Sequence, residues 1–249
     1  MTTEFQSVGP AAYPSNRESI DPSGVAVVFG ARGGIGSALV EALRAGGHFK
    51  QVMGFSRHTE PPIDLLDEAS LERASAAVAE CGELRLAIDA TGFLHDAQQT
   101  PEKSWRQLEA DHLARAFALN AIGPALIMKH VLPRFPRVGK SVFATLSARV
   151  GSIGDNRLGG WYAYRASKAA LNQLVRTAAV ELARHAPQAL CIAMHPGTVA
   201  TPLSAPFEKT GLEVHTPAVA AGHLLRVINQ LPASATGGFF DWRGEPVPW

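Results

Sequence analysis

The five residues Val25-Ala26-Val27-Val28-Phe29 form an unbroken apolar run that ends in Gly30-Ala31-Arg32-Gly33-Gly34-Ile35-Gly36, and no other stretch narrows the possible folds as far. A short, continuous, β-branched run is the pattern of a strand covered on both faces of a parallel sheet. After the glycines, Ile35, Leu39, Ala42 and Leu43 recur at helical spacing until Gly46-Gly47 closes the segment. In this setting Gly30 permits a tight turn, Gly34 lets the backbone approach a pyrophosphate, and Gly36 lets the helix pack close to the strand. The amides at the helix start, Ile35 included, favour phosphate.

The rest of the chain repeats this alternation. Gln51 to Phe55, Leu84 to Ala90, Ser141 to Leu146, Ala189 to His195 and Gly237 to Trp242 read as strands. Helices are expected over Asp67 to Cys81, about Trp105 to Pro133 and Tyr162 to Arg184. Ile63-Asp64-Leu65 is expected to add a brief strand, reached by a loop because the gap before it is short. Strands and helices alternating without internal repeats predict an α/β chain with a doubly wound parallel sheet, a Rossmann fold. One domain is expected over 24–249, after a Pro- and Gly-containing tail over 1–23, with Leu203 to His215 as a mobile flap carrying Phe207 and Leu212.

Composition removes other classes. A net charge of +1 with 18% charged residues and no basic block argues against a nucleic-acid partner. No run of about 18 apolar residues is uninterrupted, so no membrane partner is expected. Cys81 and Cys191 lie in or beside apolar runs and read as reduced thiols, which suggests the cytoplasm. The histidines show no metal-ligand spacing.

An NAD site usually carries an acidic residue about 20 positions after the glycines. Here the second strand ends at Ser56-Arg57, and the first acid is Glu60. Arg57, with Arg32, could clamp a 2′-phosphate, which favours NADP over NAD. Further along, Tyr164 and Lys168 stand four residues apart at the head of a helix, so that phenol and amine share one face. A neighbouring cation stabilises a phenolate, which makes the pair a candidate acid/base.

These motifs resemble those of the short-chain dehydrogenase/reductase family, over nearly everything from Val25 onward. Gly30-x-x-x-Gly34-x-Gly36 matches its glycine motif, with Phe29 in place of the usual threonine, and Asp64 its acid near the adenine. Asp89-Ala90-Thr91-Gly92 is similar to its Asn-Asn-Ala-Gly segment, Asn120 to its helix asparagine, and Pro196-Gly197-x-x-x-Thr201 to its nicotinamide-side loop. The stretch Gly159 to Arg165 looks most similar to the C-factor and sniffer-like carbonyl reductases.

The resemblance implies NADP, or NAD, and a small carbonyl or alcohol substrate. Tyr164 would protonate the carbonyl oxygen, Lys168 would depress the tyrosine pKa, and Asn120 would hold a water beside Lys168. Ala90, Thr91 and Gly92, with Pro196, Gly197, Val199 and Thr201, would line the cofactor. A homodimer or homotetramer through the helices of Asn120 and Lys168 is also implied. One position departs from the family. Its catalytic serine is the second of a Ser-Ser-x-x-Gly stretch, but this chain has Ser147-Ala148-Arg149-Val150-Gly151-Ser152. Ser147, or else Ser152, would have to supply the hydroxyl. The alanine also keeps open a cofactor-binding sensor with little turnover. An extended epimerase or dehydratase is disfavoured, because 249 residues leave no room for a separate substrate domain.

Overall fold

The fold is a computed structural model, described over residues 19–207 and 213–249. Most of the expected tail, and Leu212 of the expected flap, lie outside the described residues. In chain order the elements are β1 (Val25–Phe29), α1 (Gly34–Gly46), β2 (Gln51–Phe55), α2 (Glu68–Cys81), β3 (Leu84–Asp89), α3 (Ala110–Phe117), α4 (Gly123–Val131), β4 (Ser141–Leu146), α5 (Tyr162–His185), β5 (Ala189–His195), β6 (Thr198–Val199), β7 (Val214–His215), α6 (Pro217–Gln230) and β8 (Phe239–Asp241). Six strands form one parallel sheet in the order β2-β1-β3-β4-β5-β8. This is the doubly wound α/β architecture that the alternation predicts.

Side chains of β1 explain the two layers. Val25, Val27 and Phe29 face the core shared with α2, α4 and α5, while Ala26 and Val28 face that of α1 and α6. Successive strand residues point to opposite faces, so a strand covered on both sides must be apolar at every position. The chain leaves β1 by α1 to reach β2 on one side, and returns by α2 to β3 on the other. That reversal opens a crevice at the carboxyl ends of β1 and β3, the place where such sheets bind ligands.

Two expectations change, and one helix is added. Ile63-Asp64-Leu65 is not a strand: Ile63 is buried, and the segment makes only an isolated bridge between Asp64 and Asp67. Pro61-Pro62 just before it remove two amides that edge pairing would need. The helical zone over Trp105 to Pro133 is interrupted, with a π turn at Ala118–Ile122 between α3 and α4. By length and composition alone 110–134 could cross a membrane, but 44% of its most apolar window is buried in the fold. Finally, α6 was not read from the sequence. Thr216 caps it through Val219 N at 3.3 Å and Pro217 starts it.

Candidate active site

The glycine loop is fastened to the sheet. Both Gly30 N and Ala31 N donate to Phe55 O, at 2.8 and 3.0 Å, which lays the turn over the end of β2. Gly30 has φ +81°, and a Cβ there would come 2.9 Å from Ala90 C. A Cβ on Gly36 would fall 2.1 Å from Gly30 O, so only glycine lets α1 start against its own turn. A Cβ on Gly34 would meet Thr201 Cγ2 at 2.7 Å, so the glycine loop and the Pro196-Gly197 loop face each other across the crevice. With Gly33 as N-cap and no acidic residue in its first turn, α1 presents free amides from Gly34, Ile35 and Gly36.

At the far end of β2, Ser56 is buried in a turn, its N donating to Thr59 Oγ1 at 2.8 Å. Arg57 and Arg32 are exposed, and neither has an acidic partner among the described residues. Asp64 is exposed, its Oδ1 accepting from Leu66 N at 2.9 Å. The second oxygen remains open.

The acid/base pair lies on the first two turns of α5. Tyr164 keeps part of its surface open, yet the packing around it pushes the phenol up to about 12. Lys168 is buried; desolvation brings its amine down to about 8, with the Asp89 carboxylate acting in the opposite direction. Its ammonium donates to Leu146 O at 2.8 Å and stands 6.0 Å from the Tyr164 ring centre. The expected depression of the tyrosine pKa is therefore absent, because desolvation outweighs a cation at that distance. Tyr164 is held as a protonated phenol, a donor.

Asn120 sits inside the π turn and is wholly buried. Its Oδ1 accepts from Phe93 N at 2.7 Å, while Nδ2 donates to Phe93 O at 2.8 Å and Ser167 Oγ at 3.1 Å. Asn120 thus ties the segment after β3 to the helix of Lys168. A Cβ on Gly92 would lie 3.7 Å from Lys168 Nζ and 3.8 Å from Asn120 Oδ1, so the three expected residues do meet. π turns recur at functional sites, and here the extra residue is what lets an asparagine face inward.

The two candidate serines are held differently. Ser147 Oγ is buried and gives its proton to Asn172 Oδ1 at 2.6 Å, so it is not free for a carbonyl oxygen. Ser152 is buried as well, but its Oγ accepts from Asp155 N at 3.1 Å, a bond that does not use its own proton. Ala148 offers no donor.

Beside Tyr164, Trp161 meets the phenol ring edge-on at 6.1 Å and Phe207 at 5.2 Å, and Phe207 meets His95 at 5.2 Å. Trp161 has φ +53° and follows Gly159 and Gly160 at +63° and +67°, three left-handed residues in a row. Arg165 clamps this turn, donating to Gly160 O at 2.9 Å, Gly159 O at 3.1 Å and Val150 O at 3.1 Å. Gly197, φ +81°, is backed by Trp242 and His215, so any Cβ there would be 2.9 Å from Trp242. Pro196 precedes it, Val199 pairs with His215, and Thr201 bonds Ser204, with no helix beginning at Thr201.

Asp89, named in the sequence only within the Asp89-Ala90-Thr91-Gly92 match, and Glu102, not named there at all, also support the site. Asp89, fully buried, accepts from Thr145 Oγ1 at 2.6 Å and from Thr91 Oγ1 at 2.5 Å, and burial raises its pKa. The signal was an acid ending an otherwise apolar strand. Glu102, 3% exposed, accepts from Ala163 N at 3.1 Å and from Trp161 N through its backbone carbonyl at 2.5 Å, fixing the start of α5. Nothing local marks it, since it acts across 61 positions.

Comparison with known proteins agrees with this geometry. A family model described as enoyl-(acyl carrier protein) reductase matches residues 48–228. A 1-hydroxy-2-glutathionyl-2-methyl-3-butene dehydrogenase of Rhodococcus sp. is 31% identical over 76% of this chain and 80% of its own. C-signal of Myxococcus xanthus is 37% identical over 55% of this chain and 78% of its own. Among solved structures, an NADPH-bound carbonyl reductase from chicken fatty liver has a TM-score of 0.80 and 25% identity, over 94% of this chain and 97% of its own. The glycine turn, the inward asparagine and the tyrosine–lysine pair therefore belong to an oxidoreductase, and the chain is a member of the short-chain dehydrogenase/reductase family.

Proposed function

We propose that the protein reduces a small carbonyl compound to an alcohol, or runs the reverse, with NADP as preferred cofactor and NAD as a possible substitute. The observation that carries this reading is Tyr164, a phenol kept protonated one turn before Lys168 beside the crevice. The crevice fits a dinucleotide, since its glycines leave no room for a Cβ and its helix start carries free amides. Gly30, Gly34, Ile35 and Gly36 would hold the pyrophosphate, Asp64 the adenine side, and Ala90, Thr91 and Gly92 the middle. Ser56, Arg57 and Arg32 would take a 2′-phosphate, and Pro196, Gly197, Val199 and Thr201 the nicotinamide. When bound, the cofactor supplies or accepts a hydride.

The chain's own groups handle the proton. Tyr164 donates to the carbonyl oxygen, and the Lys168 ammonium lowers the cost of the phenolate left behind. The Asp89 carboxylate partly offsets the desolvation of the amine, while Asn120 holds the loop at Gly92 against it. Trp161, Phe207 and His95 wall the substrate side.

A second reading, a cofactor-binding sensor with slow turnover, is favoured by Ala148 and by the engaged hydroxyl of Ser147, and a relative bears the name C-signal. One experiment separates the two. Titration with NADPH and NADH, followed by a screen of aldehydes and ketones for cofactor oxidation, should give tighter NADPH binding and measurable reduction. Tyr164→Phe should still bind NADPH but lose about 10²–10⁴-fold in rate. Binding without reduction of any carbonyl would favour the sensor.

A further inference from the structure

The stripe of α5 that starts with Tyr164 and Lys168 continues at the same spacing with Asn172 and Arg176. At this level the helix borders an open pocket of about 730 Å³, bounded on its other side by β8 and the segments flanking it. Such a volume accommodates a small organic ligand. No step of the hydride chemistry uses this pocket.

Its polar groups are incompletely satisfied. Asn172 is 3% exposed; its carbonyl oxygen accepts from Ser147, but its buried amide nitrogen has no partner. An unmet buried donor costs about 1–3 kcal/mol, which suggests an acceptor from outside the chain. Arg176 reaches over Gly237, where φ is +76° and a Cβ would come 2.7 Å from Nη1. The glycine leaves a place for the guanidinium. Arg176 has no acidic partner among the described residues, and no Asp or Glu side chain lines the pocket. The remaining wall is largely apolar, with Ile153, Phe239, Val247 and Trp249.

We propose that this pocket is a second binding site, for a small carboxylate with an apolar body. The carboxylate pairs with Arg176, an oxygen accepts from Asn172 Nδ2, and the body lies between Ile153, Val247 and Trp249. An arginine fork and an amide donor suit a carboxylate, and the hydrocarbon wall excludes a fully polar anion.

The test is calorimetric titration of the full chain, saturated with NADPH, with 3-phenylpropanoate and its neutral counterpart 3-phenylpropan-1-ol. The carboxylate should bind about tenfold more tightly than the alcohol. Arg176→Ala should remove that advantage and Arg176→Lys should restore part of it, while carbonyl reduction stays unchanged. No binding of the carboxylate at millimolar concentration overturns the proposal, as does equal binding of acid and alcohol. Undiminished binding to a folded Arg176→Ala protein also overturns it. The acid–alcohol comparison needs no variant, and it decides the matter even if reduction of carbonyls is never found.

Discussion

On the proposed chemistry, Lys168 is the residue whose charge state governs the site. With its pKa brought down to about 8, the ammonium is present below that pH and is lost above it, whereas an ordinary lysine stays charged to about 10.4. Reduction should therefore be nearly flat from pH 6 to 8 and fall by up to about tenfold per unit above 8. A kcat profile checks this, and Lys168→Met should be slow with no such limb. Ser147 gives a contrasting expectation. Its hydroxyl bonds Asn172, so Ser147→Ala should lower stability by about 1 kcal/mol, read from urea unfolding, and leave turnover within a factor of a few. A large loss of kcat would return Ser147 to the chemistry. Tyr164 and Lys168 were legible in the sequence because a four-residue spacing on a helix is local. Glu102 was not, because its partners Trp161 and Ala163 lie on a distant segment, and Asp89 entered only as part of a motif because its partner Thr145 comes from the next strand.

Among the elements, the β1–turn–α1 unit is the least tolerant. Gly36→Ala would drive a Cβ into Gly30 O, so the helix must move away from the turn. The expected result is a loss of about 1–3 kcal/mol in stability and a larger loss of NADPH affinity, measured by thermal unfolding with and without the cofactor. Wild-type affinity in this variant would contradict the packing. β1 was readable as an unbroken apolar run, and β2 to β5, each mostly apolar with one or more polar residues, also fall where the alternation places them. The segment 63–65 misled because Ile63 is apolar and buried without being paired. The break at Ala118–Ile122 left no trace in the hydrophobic spacing, since a π turn needs only one extra residue. Helix α6 begins at Thr216-Pro217, an ordinary start signal that lies directly after the segment expected as a flap.

For the whole molecule, the relevant balance is between buried titratable groups and folding. His195, at the end of β5 beside Asp241, has its pKa brought down to about 4, chiefly by burial. Between the ordinary value of 6.5 and about 4 the unfolded chain takes up a proton that the folded chain refuses. Stability is therefore complete above 6.5 and declines as the pH falls to about 4. Urea midpoints from pH 7 to 4 should fall, and His195→Gln should flatten that slope. An unchanged slope would assign the acid sensitivity elsewhere. The parallel sheet followed from composition and order alone, but the contacts that close the crevice, such as Gly34 against Thr201, depend on loops whose paths no periodicity encodes.

The left-handed turn before α5 bears on motion. The first turn of a helix is usually where its backbone opens most easily, and Tyr164 sits within it. Here Arg165 bonds three carbonyls of the preceding segments, and Glu102 takes the amide of Ala163. Opening at that end is thereby coupled to the rest of the fold, so the amides around the phenol should exchange with solvent as slowly as those of a helix interior.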